Sequence, residues 1–144
     1  MKQILVINGP NMNMLGRREP EKYGSATLDE INAQIAEKAE AMGMECEFFQ
    51  SNYEGEIVAV LQNSEDYDGV VLNAAAYSHY SVAIRDAVAA TPLPVVETHM
   101  TNIYAREGFR RESVLSAVCD GCIAGFGADS YVLALRALEG ILGA

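Results

Sequence analysis

The sequence predicts an α/β fold in which a parallel sheet of five strands lies between two layers of helices. Two observations support this prediction. Short runs of apolar and β-branched residues recur along the chain, and the segments between them are long enough to form helices. Strands that alternate with helices in this way indicate a parallel sheet that is covered on both faces.

The strands and helices follow one another in a regular order. Strands are expected at about residues 3–8, 45–50, 68–73, 93–98 and 121–126. The clearest helix, at 27–42, starts at the capping box Thr27-Leu28-Asp29-Glu30 and ends before Gly43. Weaker helical patterns follow Glu54, run from about Ser78 to Ala90, and close the chain from Ser130. Right-handed crossovers then favour a flavodoxin-like, doubly wound three-layer sandwich.

Composition limits the classes of protein to consider. The chain has 144 residues, half of them apolar, and no linker divides it, so we expect a single domain over residues 1–144. Its three cysteines and the lack of a secretory leader predict reduced thiols and a cytoplasmic protein. A net charge of −10 disfavours nucleic acids and anionic membranes as partners.

Two arginine clusters suggest a small anionic ligand instead. Arg17 and Arg18 are adjacent, and a second group contains Arg106, Arg110 and Arg111. Polar residues also follow the predicted strands, and in a doubly wound sheet ligands bind outside the carboxyl ends of the strands. We therefore expect the site at that edge of the sheet.

Three other motifs are weaker. The turn at 125–130 lacks the third glycine of a dinucleotide site, and close packing of the last helix explains it. Cys119 and Cys122 have no second pair or nearby histidine in sequence to complete a zinc site, so they are interpreted as structural. None of the three lysines is placed as a desolvated Schiff-base amine. Covalent imine chemistry is therefore disfavoured.

Four blocks of sequence, in order, resemble the type II 3-dehydroquinate dehydratase family. The first runs from Asn8-Gly9-Pro10-Asn11 to Glu21-Lys22-Tyr23-Gly24. The others are Gln50-Ser51-Asn52-Tyr53-Glu54-Gly55, the segment 78–87, and Glu97-Thr98-His99 with Arg106-Glu107-Gly108-Phe109-Arg110. The resemblance spans most of the chain. It implies elimination of water from 3-dehydroquinate through an enolate, without metal, Schiff base or cofactor.

The resemblance implies that Tyr23 is the proton acceptor and Arg18 its stabilising partner. A free tyrosine is only about one part in a thousand ionised at neutral pH, a shortfall of roughly 4 kcal/mol. A cation within about 4–6 Å lowers such a pKa by 1–3 units, so an arginine beside this tyrosine is chemically required. Gly16 and Gly24 bracket the segment and are expected to act as hinges of a lid.

The remaining roles are also implied by resemblance. His99 is the proton donor, Glu97 orients it, and Asn11 stabilises the enolate. Strand alternation independently places residues 97 and 99 on one face. The residues expected to bind substrate are Asn73, Met100 and Thr101 at the carboxylate, the latter two through backbone amides, and His79, Asp86 and Arg110 at the ring hydroxyls.

The resemblance further implies a homododecamer, a tetramer of trimers, in which Asp86 comes from a neighbouring subunit. A structural ion pair between Asp86 and Arg110 is an alternative. Ala74-Ala75-Ala76 departs from the proline or glycine of many relatives, so this loop differs in shape if a position needs positive φ.

Three rival functions stay open on the sequence. The first is a catalytically silent, flavodoxin-like module that binds a small anion, because fold alone does not fix function. The second is a structural protein that forms oligomers. The third is a dehydratase for another hydroxyketo acid.

Overall fold

The computed structural model describes residues 1–17 and 19–143, and for residues 22 and 23 the backbone alone. Its sheet confirms the prediction of five parallel strands. They are β1 (Lys2–Asn8), β2 (Met44–Gln50), β3 (Gly69–Asn73), β4 (Val95–His99) and β5 (Gly121–Ala124), in the order β2-β1-β3-β4-β5. The chain therefore winds outward in both directions from β1, as a doubly wound fold does.

Helices cover both faces of this sheet. They are α1 (Pro20–Tyr23), α2 (Leu28–Ala41), α3 (Glu54–Gln62), α4 (Val82–Ala90) and α5 (Asp129–Leu142). The helices α2 and α5 bury one face of the sheet, and α3 and α4 bury the other. Short 3-10 helices lie in the connections, at residues 12–14, 75–79, 103–105, 108–110 and 116–118. Within the described residues, none of the helices has the length and apolar character to cross a membrane.

The two faces of each central strand explain this layering. Along β1, Ile4 and Val6 pack under α2 and α5, whereas Leu5 and Ile7 pack under α3 and α4. All four are almost completely buried. Because the parallel strands are buried on both faces, their sequences are continuous apolar runs and do not alternate between apolar and polar residues.

The predicted capping box is formed at the start of α2. The Thr27 hydroxyl accepts a hydrogen bond from the Glu30 amide, and the Glu30 carboxylate accepts one from the Thr27 amide, both at 3.2 Å. After the helix, Gly43 has φ 77°, the left-handed conformation that glycine adopts readily. The boundaries of this helix were therefore predicted within one residue.

Two predicted boundaries were wrong for local reasons. The helix expected from Ser78 begins at Val82, because residues 75–79 form a separate 3-10 helix and the Ser81 hydroxyl caps α4 by accepting from the Ile84 amide at 3.0 Å. The last strand ends at Ala124 rather than 126, since Gly125 turns the chain with φ 103°.

The turns after β1 and β3 touch each other. The Gly9 amide donates to the Asn73 carbonyl at 2.8 Å, and a Cβ on Gly9 would lie 2.4 Å from the carbonyl oxygen of Ala74. In the same turn Ala75 has φ 53°. The sequence predicts a different shape for the loop Ala74-Ala75-Ala76 if one of its positions needs positive φ. Ala75 is such a position, and a left-handed alanine costs about 1–2 kcal/mol.

We expect Gly9→Ala to lower the free energy of unfolding by about 1–3 kcal/mol, since a side chain must push two backbones apart. Gly55→Ala is the matched control. Gly55 lies in α3, with nothing within 4 Å of its added Cβ. This control is expected to change stability by less than about 1 kcal/mol, in the stabilising direction. Urea unfolding measures both, and equal effects would contradict the close contact at Gly9.

Candidate functional site

A cleft lies where the carboxyl ends of β1, β3 and β4 meet. The sheet register pairs Asn8 with Asn73 and Leu72 with Glu97, so these strands end within about one residue of the same level. The cleft is lined by residues 10–12, Leu15, Asn73, Ala75, Ala76, His79, residues 99–101, Ile103, Arg106 and Arg110. It therefore contains seven of the residues predicted for the site: Asn11, Asn73, His79, His99, Met100, Thr101 and Arg110.

His99 stands at the end of β4 and is bound to Glu97 beneath it. Its Nε2 lies 2.5 Å from Glu97 Oε2, and both residues are buried. They share a strand face because they are two residues apart, as the sequence predicted. An ionised carboxylate only accepts hydrogen bonds, so Nε2 carries the proton in this contact. Nδ1 is then the ring nitrogen available to a ligand in the cleft.

Two serine hydroxyls complete the surroundings of Glu97. Ser113 donates to Oε2 at 2.6 Å, and Ser116 donates to Oε1 at 2.5 Å. Burial acts to raise the pKa of the Glu97 carboxyl, but the hydrogen bonds from His99, Ser113 and Ser116 outweigh it and hold that pKa below its ordinary value. A fully buried carboxylate is therefore ionised next to the histidine.

His79 stacks on His99 across the cleft. The ring centroids are 6.2 Å apart with 20° between the planes, and His79 Nδ1 donates to the Glu112 carbonyl at 2.7 Å. Burial lowers the pKa of His79, and the nearby His99 and Arg110 act in the same direction. At neutral pH His79 is thus an uncharged ring whose Nε2 accepts hydrogen bonds.

Asn73 is fixed by a buried tyrosine of α5. The Tyr131 hydroxyl donates to Asn8 Oδ1 at 2.5 Å and accepts from Asn73 Nδ2 at 2.9 Å. Asn73 Oδ1 accepts from the Ala75 amide at 3.1 Å. Tyr131 is completely buried. This chain of contacts sets the orientation of the Asn73 carboxamide at the cleft.

Donors for an anion are present beside His99. The backbone amides of Met100 and Thr101 donate to no other residue that the structure describes. Arg110 and Arg106 line the same cleft, and Arg110 also bonds Glu107 at 2.8 Å. Orphaned amides with adjacent guanidinium groups form a site suited to a carboxylate.

Asn11 occupies the turn on the opposite wall. It has φ 68°, and its amide donates to Asn52 Oδ1 at 3.0 Å. Gln50 Nε2 donates to the Gly9 carbonyl at 3.1 Å and so joins the turns after β1 and β2. The backbone of Asn11 is held by its neighbours, and the residue lines the cleft.

Four predicted site residues do not line this described cleft, and one of them, Glu97, lies beneath His99. Asp86 is exposed on α4 and does not line the cleft. The alternative of an Asp86–Arg110 ion pair is wrong for the described chain, because the carboxylate that binds Arg110 belongs to Glu107. Arg18 and the side chain of Tyr23 lie outside the described residues.

The described cysteines are free thiols, as predicted. Burial raises the pKa of Cys119 to about 12 and that of Cys122 to about 11. Such thiols are protonated and unreactive at neutral pH.

Cys122 lies with Glu97 and His99 in a group whose candidate ligand atoms are within 4.8 Å of one another. Both Glu97 oxygens accept hydroxyl protons and His99 Nε2 bonds Oε2, so hydrogen bonds join this group in the described structure.

Sequence reasoning missed the residues that support the site. Ser113, Ser116 and Tyr131 contact predicted site residues but lie 16, 19 and 58 positions from their partners Glu97 and Asn73. Their only signal was local. Tyr131 carries a hydroxyl on the mostly apolar buried face of α5, and buried tyrosines usually have a hydrogen-bond partner.

The low pKa of His79 predicts a loss of stability on acidification. The unfolded chain binds a proton at this residue near pH 6.5, and the folded chain binds it only at lower pH. Stability should therefore fall as pH drops from about 6.5 toward the folded pKa, and His79→Asn should weaken that fall. Urea unfolding from pH 8 to 5 measures it. A stability difference between the two proteins that does not change with pH would contradict the prediction.

Comparison with known proteins agrees with this geometry. The profile of the family described as dehydroquinase class II matches residues 2–139. A 3-dehydroquinate dehydratase of Pelodictyon phaeoclathratiforme is 56% identical over 141 residues, which are 96% of this chain and 92% of that protein. The type II dehydroquinase of Butyrivibrio crossotus superposes with a TM-score of 0.94 at 42% identity, covering 96% of this chain and 97% of the other. That of Propionibacterium acnes gives 0.93 at 45%, covering 97% of each. The chain belongs to the class II dehydroquinase family.

Proposed function

We propose that the cleft removes water from 3-dehydroquinate to give 3-dehydroshikimate through an enolate. The family match over residues 2–139, with relatives more than half identical that are named 3-dehydroquinate dehydratase, carries this proposal. The chain is a hydro-lyase of type II, and we assign the activity to one catalytic domain over residues 1–144. Glu97 and His99 form a hydrogen-bonded pair, and the neighbouring Met100 and Thr101 amides donate to no other residue that the structure describes. The cleft therefore offers a group for proton transfer and hydrogen-bond donors for an anion, both of which the reaction needs.

Tyr23 is the proposed proton acceptor, with Arg18 as the cation that stabilises its phenolate. The proton lost lies next to a ketone, and its removal needs a base that is ionised near neutral pH. A tyrosine meets this requirement only beside a positive charge. Gly16 and Gly24 on either side have φ 88° and 81°, which suits them to the hinge positions of a lid.

His99 is the proposed proton donor to the leaving hydroxyl. Its Nε2 is held by Glu97, so Nδ1 is the atom that delivers the proton. Glu97 orients the ring and stabilises the protonated form during the cycle. This arrangement allows the ring to gain and lose a proton without turning.

Four groups are proposed to bind the substrate carboxylate and the enolate. The Met100 and Thr101 amides and the Asn73 carboxamide bind the carboxylate, and Tyr131 and Ala75 hold Asn73 in place. Asn11, on the facing wall, stabilises the enolate oxygen directly or through a water. Charge then develops between fixed donors rather than in bulk water.

The ring hydroxyls are assigned to His79, Arg110 and Asp86. His79 presents Nε2 as an acceptor because Nδ1 is bound to a carbonyl. Asp86 is exposed within one chain, and its assignment requires a neighbouring subunit. We propose the homododecamer built from trimers as the assembly that brings it to the cleft, and the cytoplasm as its location.

The reaction is proposed to use no metal, no Schiff base and no organic cofactor. The assigned groups cover proton removal, enolate stabilisation and proton donation, so each step has a protein residue. Of the lysines, Lys2 and Lys38 lie away from the cleft lining. A catalytically silent anion-binding module is the second candidate, and it predicts binding without turnover.

Purified protein with 3-dehydroquinate and a chelator should generate the ultraviolet absorbance of a conjugated enone carboxylate. Tyr23→Phe and His99→Ala should each reduce kcat by about two orders of magnitude or more, since each removes an acid or base. Tyr53→Phe, an exposed tyrosine outside the cleft, is the control and should keep native rates. Absence of product with the native protein at every pH from 6 to 9 would support the silent module. Near-native rates in either catalytic variant would refute its assigned role.

Asp86 in a neighbouring subunit predicts complementation between two defective proteins. Asp86→Ala, which should raise KM, and His99→Ala, which should abolish turnover, are refolded together in equal amounts. About a quarter of the sites in random trimers then combine a native His99 with a native Asp86 from the next subunit. Activity at low substrate should exceed the mean of the separate proteins. Light scattering should show that the mixed assemblies have a mass of twelve times 15.6 kDa. If such assemblies show no gain in activity, Asp86 lies in the site of its own subunit or outside the sites.

A further inference from the structure

Both histidines of the cleft are held by one short segment, residues 112–116. The Glu112 carbonyl accepts from His79 Nδ1 at 2.7 Å. Ser113 and Ser116 donate to the two oxygens of Glu97, which in turn binds His99. The serines have no place in the lining of the cleft. Their contact with the site is the one they make to Glu97.

The 112–116 segment is fixed independently of the histidines. The Val114 amide donates to the Ser78 carbonyl, and Arg85 donates to the Val114 carbonyl, both at 2.8 Å. The Leu115 side chain is completely buried in the core beneath α3 and α4, and its amide donates to the Ser113 hydroxyl at 3.1 Å. These contacts hold the serine hydroxyls in place before substrate arrives.

The groups around Glu97 leave the serines as its main neutral donors. On its own strand it meets His99, and across the cleft the His79 ring. From the β5 side the Cys119 and Cys122 thiols lie near it, and burial raises the pKa of both so that they carry no charge. The Cys122 thiol also hydrogen-bonds Glu97 and Ser116, but a thiol is a weak donor. His99 shares Oε2 with Ser113, while Ser116 occupies Oε1.

We propose that Ser113 and Ser116 are positioning residues that divide the charge of Glu97 between three donors and thereby make His99 a competent proton donor. Without the hydroxyls the carboxylate charge would act on His99 alone, and the pair would hold its proton more tightly. The ring would then be a poorer acid for the leaving hydroxyl. This inference rests on the proposed role of His99.

The test compares Ser113→Ala, Ser116→Ala and the double variant with Ser113→Thr, which keeps a hydroxyl. We expect kcat of the double variant to fall roughly tenfold while KM changes less than about twofold, because two hydrogen bonds to a charged group are lost but no substrate contact is. The alkaline limb of the kcat–pH profile should move to higher pH. Ser113→Thr should restore most of the rate.

Ser64→Ala is the matched control. Ser64 is buried and its hydroxyl donates to the Leu61 carbonyl at 2.7 Å, far along the chain from the site, so its kcat and pH profile should stay native. A double variant with native kcat and an unmoved alkaline limb would overturn the proposal, as would a loss of rate equal at all pH values.

Nitrogen-15 NMR gives a readout that does not depend on turnover, because the chain has two histidines. In the double variant the His99 Nε2 resonance, which reports the hydrogen bond to Glu97, should differ from that of the native protein, whereas the His79 tautomer, set by a backbone carbonyl, should persist. Unchanged His99 resonances would overturn the proposal. An inactive native protein whose His99 still responds to the serines would instead refute the proposed function alone.

Discussion

The buried charge of Glu97 is the constraint on which the site depends. A carboxylate taken out of water costs several kcal/mol unless donors replace the solvent. Here the donors come from two directions, His99 on the same strand and Ser113 and Ser116 from the loop before β5. The charge thus fixes the histidine at the end of β4 and also ties the loop to the sheet. If any one donor were removed, the remaining contacts would surround a buried Glu97 carboxylate that lacks one of its hydrogen bonds.

The sheet determines where this pair is useful. In its order β2-β1-β3-β4-β5 the ends of β1, β3 and β4 lie side by side, so Asn11, Asn73 and His99 meet although they are far apart in sequence. The turn after β4 leaves the Met100 and Thr101 amides without partners in the described chain. Many doubly wound proteins offer such an edge. What distinguishes this one is an ionised carboxylate beneath a histidine next to those amides.

The sequence predicts many features of the fold and of the site, and the features that it does not predict have a common physical cause. Local patterns predicted the capping box at Thr27, the five strands, and the shared face of Glu97 and His99, since each depends on neighbours within four residues. The serines' contact with Glu97 depends on how an irregular loop folds back, which no periodicity encodes. Long-range contacts in irregular segments were the part that the sequence did not specify.

The two stacked histidines show how the same side chain acquires different chemistry. His79 is bound to a carbonyl, which accepts a hydrogen bond but carries no full charge, so the contact selects one tautomer and burial keeps the ring neutral. His99 is bound to a carboxylate, which can accompany a ring that gains and loses a proton. One ring is therefore suited to accept a hydrogen bond from a substrate hydroxyl and the other to transfer a proton. Because the 112–116 segment supplies the carbonyl to one and the serines behind the other, a single backbone conformation maintains the difference between them.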